Sequence, residues 1–273
     1  MPVAIALMRL TLDTADRAEM EKLVAVALAS SAPGSAAHVR LRSLEQLMRS
    51  HADIHGLVRR LETASVPRPE GTVEAEYWAA EFDRTVAVSP EASVALYSLG
   101  DPDLLRQITS ELVDRLVQWG ALRRGSRVLD YGCGIGRVTA ELAAQAGEVV
   151  GVDISAGMLR EAGARLSGLA NVRLVHAGDF RTAETGTRFD LILLVDVLPY
   201  LSDPMPLLTD LASWLAPGAS LVVMNWSYAL DLADQRALAG RLAAERGLVV
   251  VRDGTAEFTL WDGVVFHFLN PQK

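Results

Sequence analysis

The sequence predicts an α/β fold: a mostly parallel seven-stranded sheet with helices on both faces, preceded by an N-terminal helical hairpin. Three observations carry that prediction. From Arg127 onward short apolar runs alternate with helical patterns, the sign of strands joined by crossover helices. Half of the residues are hydrophobic and only 6% aromatic, a balance rich in Ala, Leu and Val that suits helices packed on a parallel sheet. A chain of 273 residues is long enough to bury a full core and leave room for an appendage.

Taken in order, Met1 to Leu12 is apolar, but it has no basic leader or small-residue cleavage pattern, and Arg9 interrupts it. It is expected to be neither a signal nor a membrane span, and a cytoplasmic location follows. Asp13 to Ala29 reads as a helix with Asp13 or Thr14 as N-cap and Leu23, Val26 and Ala27 on one stripe. After the Pro33-Gly34 turn a second helix is expected, on which Leu44, Leu47, Met48, His51, Ile54, His55, Val58 and Leu61 recur at spacings of three and four. Ala64 to Gly71, with Pro67, Pro69 and Gly71, reads as a linker. Helices are expected at Glu74 to Phe82 and Asp103 to Trp119.

The strands that follow are Val128 to Asp130, Val149 to Val152, Val172 to Val175, Leu191 to Val195, Leu221 to Met224, Leu248 to Val251 and Val264 to Leu269. The last follows the sixth without room for a helix between them, so it should pair antiparallel with a neighbour. The organisation expected is residues 1–70 as a helical lid or dimerisation surface, 71–120 as helices leading into the core, and 121–273 as the main domain.

The net charge is −8, and residues 1–70 are close to neutral, so the acidic excess falls on the main domain. Such a surface repels a phosphate backbone, which argues against a nucleic-acid partner and for a small molecule. The single cysteine, Cys133, excludes an intrachain disulfide.

The chemistry concentrates after the first strand, in Asp130-Tyr131-Gly132-Cys133-Gly134-Ile135-Gly136, which leads into a helix at Arg137 to Ala146. Closely spaced glycines let the backbone approach a ligand, and the helix N-terminus beyond attracts an anion. The spacing is not that of a dinucleotide fingerprint. The second strand ends in Asp153, close to the position from which a carboxylate grips ribose hydroxyls.

The loop resembles motif I of class I methyltransferases, a Rossmann-like family that uses S-adenosylmethionine. The resemblance extends over about residues 101–273: Asp153-Ile154 to Met158, then Asp179-Phe180, then the fourth strand running into Asp196-Val197, then Leu215-Ala216-Pro217-Gly218, all in the family's order. It implies cofactor binding by Asp130, Gly132, Cys133, Gly134, Gly136, Asp153, Ile154, Met158, Asp179, Phe180, Asp196 and Val197, with Met158 beside the adenine and Asp179 at its amine. Tyr77, Tyr200 and Trp226 are expected to line the acceptor pocket. The chain departs from enzymes that methylate base or glutamine nitrogens, since Asp196 is followed by Val197-Leu198-Pro199-Tyr200 and not by Pro-Pro-Tyr.

Methyl transfer to an O, N or C atom of a small molecule is the activity implied. If a general base is used, Tyr200 or His51 is the candidate. His51 and His55 lack a third ligand, so no metal is expected, and hydrogen-bonded packing histidines are the plainer reading. His176 reads as a loop residue and Cys133 as a small residue in a tight turn. Two alternatives remain: a cofactor-binding protein without methyl transfer that uses its N-terminal helices for docking or homodimerisation, and a nicotinamide oxidoreductase, which Asp153 favours and the loop spacing disfavours.

Overall fold

In a computed structural model, residues 1–183, 186–255 and 258–271 are described. The chain folds into two compact units, one made of residues 1–67, 84–108 and 259–262 and the other of residues 68–83, 109–258 and 263–273. The boundary therefore falls inside helices: Glu74–Val88 and Pro102–Gln118 each begin in one unit and end in the other.

The first unit opens with α1 (Val3–Asp13), α2 (Arg17–Ser30), α3 (Ala36–Ser50) and α4 (Ile54–Ala64). Where a hairpin of two helices was expected there are four, because Met1 to Leu12 is itself largely helical and the second helix breaks at His51–Asp53. The break is capped: the His51 N–H donates to Leu47 O at 3.1 Å, and Nδ1 of its ring lies 2.9 Å from the same carbonyl. The apolar spacing runs through the break because both halves serve one core, in which Leu44, Met48, Ile54 and Leu57 meet Leu7, Met20 and Val24. On α2 the buried residues are Met20 and Val24, while Leu23 and Val26 are exposed, so the buried stripe is offset from the one expected. After α5 (Glu74–Val88), the short helix α6 (Pro90–Val94) and a 3-10 turn at Leu96–Ser98 add Ala92 and Leu99 to this core.

The second unit holds the sheet. Following α7 (Pro102–Gln118), the chain alternates β1 (Arg127–Tyr131), α8 (Arg137–Ala143), β2 (Glu148–Asp153), α9 (Ala156–Arg165), β3 (Val172–His176), α10 (Phe180–Ala183), β4 (Phe189–Val195), α11 (Met205–Ala212), β5 (Leu215–Met224) and α12 (Leu232–Arg246). It ends with β6 (Val249–Thr255) and β7 (Val264–Leu269). The seven strands lie in the order β3-β2-β1-β4-β5-β7-β6. The first five are parallel, and β7 pairs antiparallel with both β5 and β6, as the short gap before it predicted.

Helix ends follow local chemistry. Ser155 accepts the Met158 N–H at the start of α9, Asp231 accepts that of Asp234 at the start of α12, and Gly247 closes α12 in the left-handed conformation. Leu129, Val150, Ile192, Leu194, Leu221, Val223, Phe266 and Phe268 supply the middle of the core, which fixes the carboxyl ends of β1, β2, β4 and β5 as one edge. Among the described residues no helix is long and apolar enough to cross a membrane.

Candidate functional site

The loop between β1 and α8 turns on glycines that only glycine serves without strain: Gly132, Gly134 and Gly136 have φ of 80°, 53° and 74°. Gly132 is also a close approach, since a Cβ there would stand 2.2 Å from Val197 Cγ2. The loop is thereby pressed against the segment that follows β4, and two of the expected motifs meet. The Gly132 and Cys133 N–H groups both donate to Val152 O, at 2.7 and 2.9 Å, which ties the loop to the end of β2. Cys133 is buried beside Gly151, and burial, with the charges of Asp130 and Asp153, pushes its thiol well above the ordinary range. It is a packing thiol, not a thiolate.

Asp153 ends β2 and joins the loop directly. Its Oδ2 accepts the Gly134 N–H at 2.8 Å and its Oδ1 accepts the Ser155 N–H at 2.9 Å. Burial raises this carboxyl above its usual range, while the backbone donors of Ser155, Gly134 and Ile154 oppose the rise. Asp130 lies deeper, 2% exposed, with Oδ2 accepting from Thr139 Oγ1 at 2.6 Å. Burial pushes it up to about 6, against the Thr139 hydrogen bond and the Arg137 guanidinium.

Beyond β2, Met158 is buried at the start of α9 and Ile154 is half-buried. A residue the sequence did not single out holds this turn: Asp83 Oδ1 accepts from Ser155 Oγ at 2.5 Å and from the Gly157 N–H at 2.7 Å. No local pattern could have revealed a partner 72 positions away. After β3, Asp179 is exposed, and His176 bridges Ile154 O and the Gly178 N–H. Phe180 is a core residue, 5.1 Å from the ring of Trp214 and 6.0 Å from that of Tyr131.

At the ends of β4 and β5, Asp196 accepts at Oδ1 from Asn225 Nδ2 at 2.5 Å and from the Tyr228 hydroxyl at 2.8 Å. Neither Asn225 nor Tyr228 was expected from the sequence. Burial raises the Asp196 carboxyl, and these two donors and Arg137 oppose it. Tyr200 joins an aromatic group, its ring 4.8 Å from Trp78 and 5.1 Å from Phe82, with Tyr77 packed on Trp78 at 4.8 Å. Burial and the Asp196 charge drive the Tyr200 phenol far upward, so it stays protonated. Trp226 is 1% exposed and packs on Phe266 and Phe268 within the core, and it is among the residues lining a cavity of about 330 Å³ with Leu198, Met205 and Leu230.

His51 and His55 lie in the first unit. His51 Nε2 is 3.2 Å from Asp101 Oδ2, and His55 Nε2 is 3.0 Å from Thr14 Oγ1, so each is engaged in hydrogen bonding within that unit. The residues gathered at one edge of the sheet are therefore Asp130, the loop glycines, Cys133, Asp153, Asp196 and Val197, with the aromatics of α5 against Tyr200.

A sheet in this order, with its penultimate position reversed, a glycine loop after β1 and a carboxylate of β2 tied to that loop, defines a class I, Rossmann-like methyltransferase fold. Residues 103–256 match the methyltransferase domain family, and the chain belongs to that family. It is 35% identical over 123 residues to a ubiquinone biosynthesis O-methyltransferase of Ruegeria sp. strain TM1040, covering 43% of this chain and 49% of that protein. It is 31% identical over 148 residues to a demethylmenaquinone methyltransferase of Clavibacter sepedonicus, covering 54% and 57%. The chain thus spans about half the length of these curated relatives. A magnesium protoporphyrin IX methyltransferase of Synechocystis PCC 6803, solved with bound S-adenosylmethionine, shares the fold with a TM-score of 0.55 at 21% identity, covering 74% of this chain and 100% of that one.

Proposed function

We propose that the chain transfers a methyl group from S-adenosylmethionine to an O, N or C atom of a small-molecule acceptor. The observation that carries this reading is the joint between Asp153 and the loop. Each carboxylate oxygen spends one acceptor position on a backbone N–H, at Gly134 or Ser155, and each retains another. Two adjacent acceptors on a buried carboxylate fit a vicinal diol, and the left-handed glycines beside it leave room for a ligand at the backbone. The residues present therefore fit the cofactor.

In this reading Asp153 and Ile154 hold the ribose, Met158, Asp179 and Phe180 border the adenine, and Asp130 with Gly132, Cys133, Gly134 and Gly136 receives the amino-acid end. Asp196 and Val197 close the far side, and Tyr77, Tyr200 and Trp226 shape the acceptor site. The bound cofactor supplies an electrophilic methyl group on a sulfonium. The chain's own task is to align an acceptor and keep water out.

Calorimetric titration with S-adenosylmethionine, S-adenosylhomocysteine and NAD tests the reading. Binding of the first two and not the third is expected, followed by transfer of labelled methyl in an acceptor screen. Binding of NAD alone, or of none of the three, overturns it.

A further inference from the structure

The parallel ladder between β2 and β3 ends on the pair Asp153 and His176, and the Ala177 N–H donates to Asp153 O at 2.8 Å just past it. Beyond that pair the chains part. Ile154 leads into α9, and Gly178 and Asp179 lead into α10. The His176 ring reaches across the parting: its Nε2 lies 3.0 Å from Ile154 O on one side, and its Nδ1 lies 3.2 Å from the Gly178 nitrogen on the other. A carbonyl can only accept and a backbone N–H can only donate, so the two bonds together fix the tautomer that carries its proton on Nε2. The fit at Gly178 is close, since a Cβ there would stand 3.2 Å from Nδ1. The ring itself is exposed and adds little to the core.

We propose that His176 is a positioning residue for the adenosine half of the cofactor: through Nε2 it sets the spacing between the Asp153-Ile154 chain, which takes the ribose, and the Asp179-Phe180 chain, which borders the adenine. This rests on the methyl-transfer reading and adds a residue to its site. Sugar and base are stiff groups joined by a single bond, so two walls that drift apart cannot both follow them. The glycine loop follows β1, on the far side of β2 from β3, so the ring acts on the adenosine half and not on the amino-acid end.

Three variants of the full chain divide the ring's two bonds. His176→Gln extends an amide towards the Nε2 position and keeps a donor for Ile154 O. His176→Asn stops at the Nδ1 position and keeps an acceptor for the Gly178 N–H, as in an Asx turn, and His176→Ala keeps neither. Each is titrated calorimetrically with S-adenosylhomocysteine and with 5′-methylthioadenosine, which lacks the amino-acid end. His176→Ala and His176→Asn should weaken both ligands by the same factor, about tenfold, the value of one lost hydrogen bond, while His176→Gln stays within about threefold of wild type. A role confined to the Gly178 turn gives the opposite order, with asparagine the better replacement. Unchanged affinity in His176→Ala, a His176→Gln no better than His176→Ala, a His176→Asn that binds like the wild type, or a loss that spares 5′-methylthioadenosine overturns the proposal. Nitrogen NMR of the ligand-free wild type in mildly alkaline buffer, with the ring signal assigned by its loss in His176→Gln, should show the proton on Nε2. That measurement separates the two readings: if the wild type binds neither ligand, methyl transfer falls, and the bridge is judged on the ring alone, where a proton on Nδ1 overturns it.

Discussion

Asp130 and Asp153 are both carboxylates at strand ends, and their surroundings set different tasks for them. Asp153 is met by backbone donors and faces the loop, so Asp153→Ala should lower S-adenosylmethionine affinity by about tenfold to a hundredfold, the value of one or two charge-assisted hydrogen bonds. Calorimetry reads the loss, and unchanged affinity would remove Asp153 from the site. Asp130 carries the larger burial penalty. Its carboxyl, ordinarily near 3.8, is held at about 6, so between those values the folded chain binds more protons than the unfolded one. Stability should therefore fall as pH rises through that window, by up to about 3 kcal/mol, and level off above it. Asp130→Asn abolishes the titration while leaving Thr139 an acceptor. The melting temperature of the variant relative to wild type should rise from pH 4 to pH 7, and a constant difference would refute the assignment.

At the scale of elements, the glycine loop is where sequence and structure agree most closely, because a turn that close to a strand end leaves glycine no substitute. Gly132→Ala places a methyl group on Val197 and a side chain at φ 80°. It should cost about 1–3 kcal/mol in denaturant unfolding and weaken cofactor binding; wild-type behaviour would contradict the loop geometry. The strands and their reversal at β7 were legible because apolar runs of strand length report burial on both faces, and a short gap forbids a crossover. The break at His51 was not legible. Periodicity reports which residues face a core and is blind to a cap that interrupts the helix while keeping the same face buried. Asp83, Thr139, Asn225 and Tyr228 were hidden for another reason: each acts through a partner that only the tertiary fold brings near.

For the whole molecule, the first unit builds a core of its own, to which residues beyond the linker contribute Ala92 and Leu99. Removing residues 1–67 strips Leu7, Met20, Met48, Ile54 and Leu57 from around them. The truncated chain should bind a hydrophobic dye that the full chain does not, while its affinity for S-adenosylmethionine changes by less than about threefold, the site residues of the sheet being intact. Dye fluorescence and calorimetry on the same preparation check both halves. The strand order carries a consequence for synthesis. On a growing chain, β2 finds β1, and β4 finds β1, as soon as each is made, but among the described residues β6 has no neighbouring strand except β7, which is made after it. Until Val264 to Leu269 has left the ribosome, the segment Val249-Val250-Val251 waits as a valine-rich strand with both edges bare. A chain truncated before Val264 is accordingly the form most prone to pair with its own kind, and once released it should aggregate at a lower concentration than the full chain.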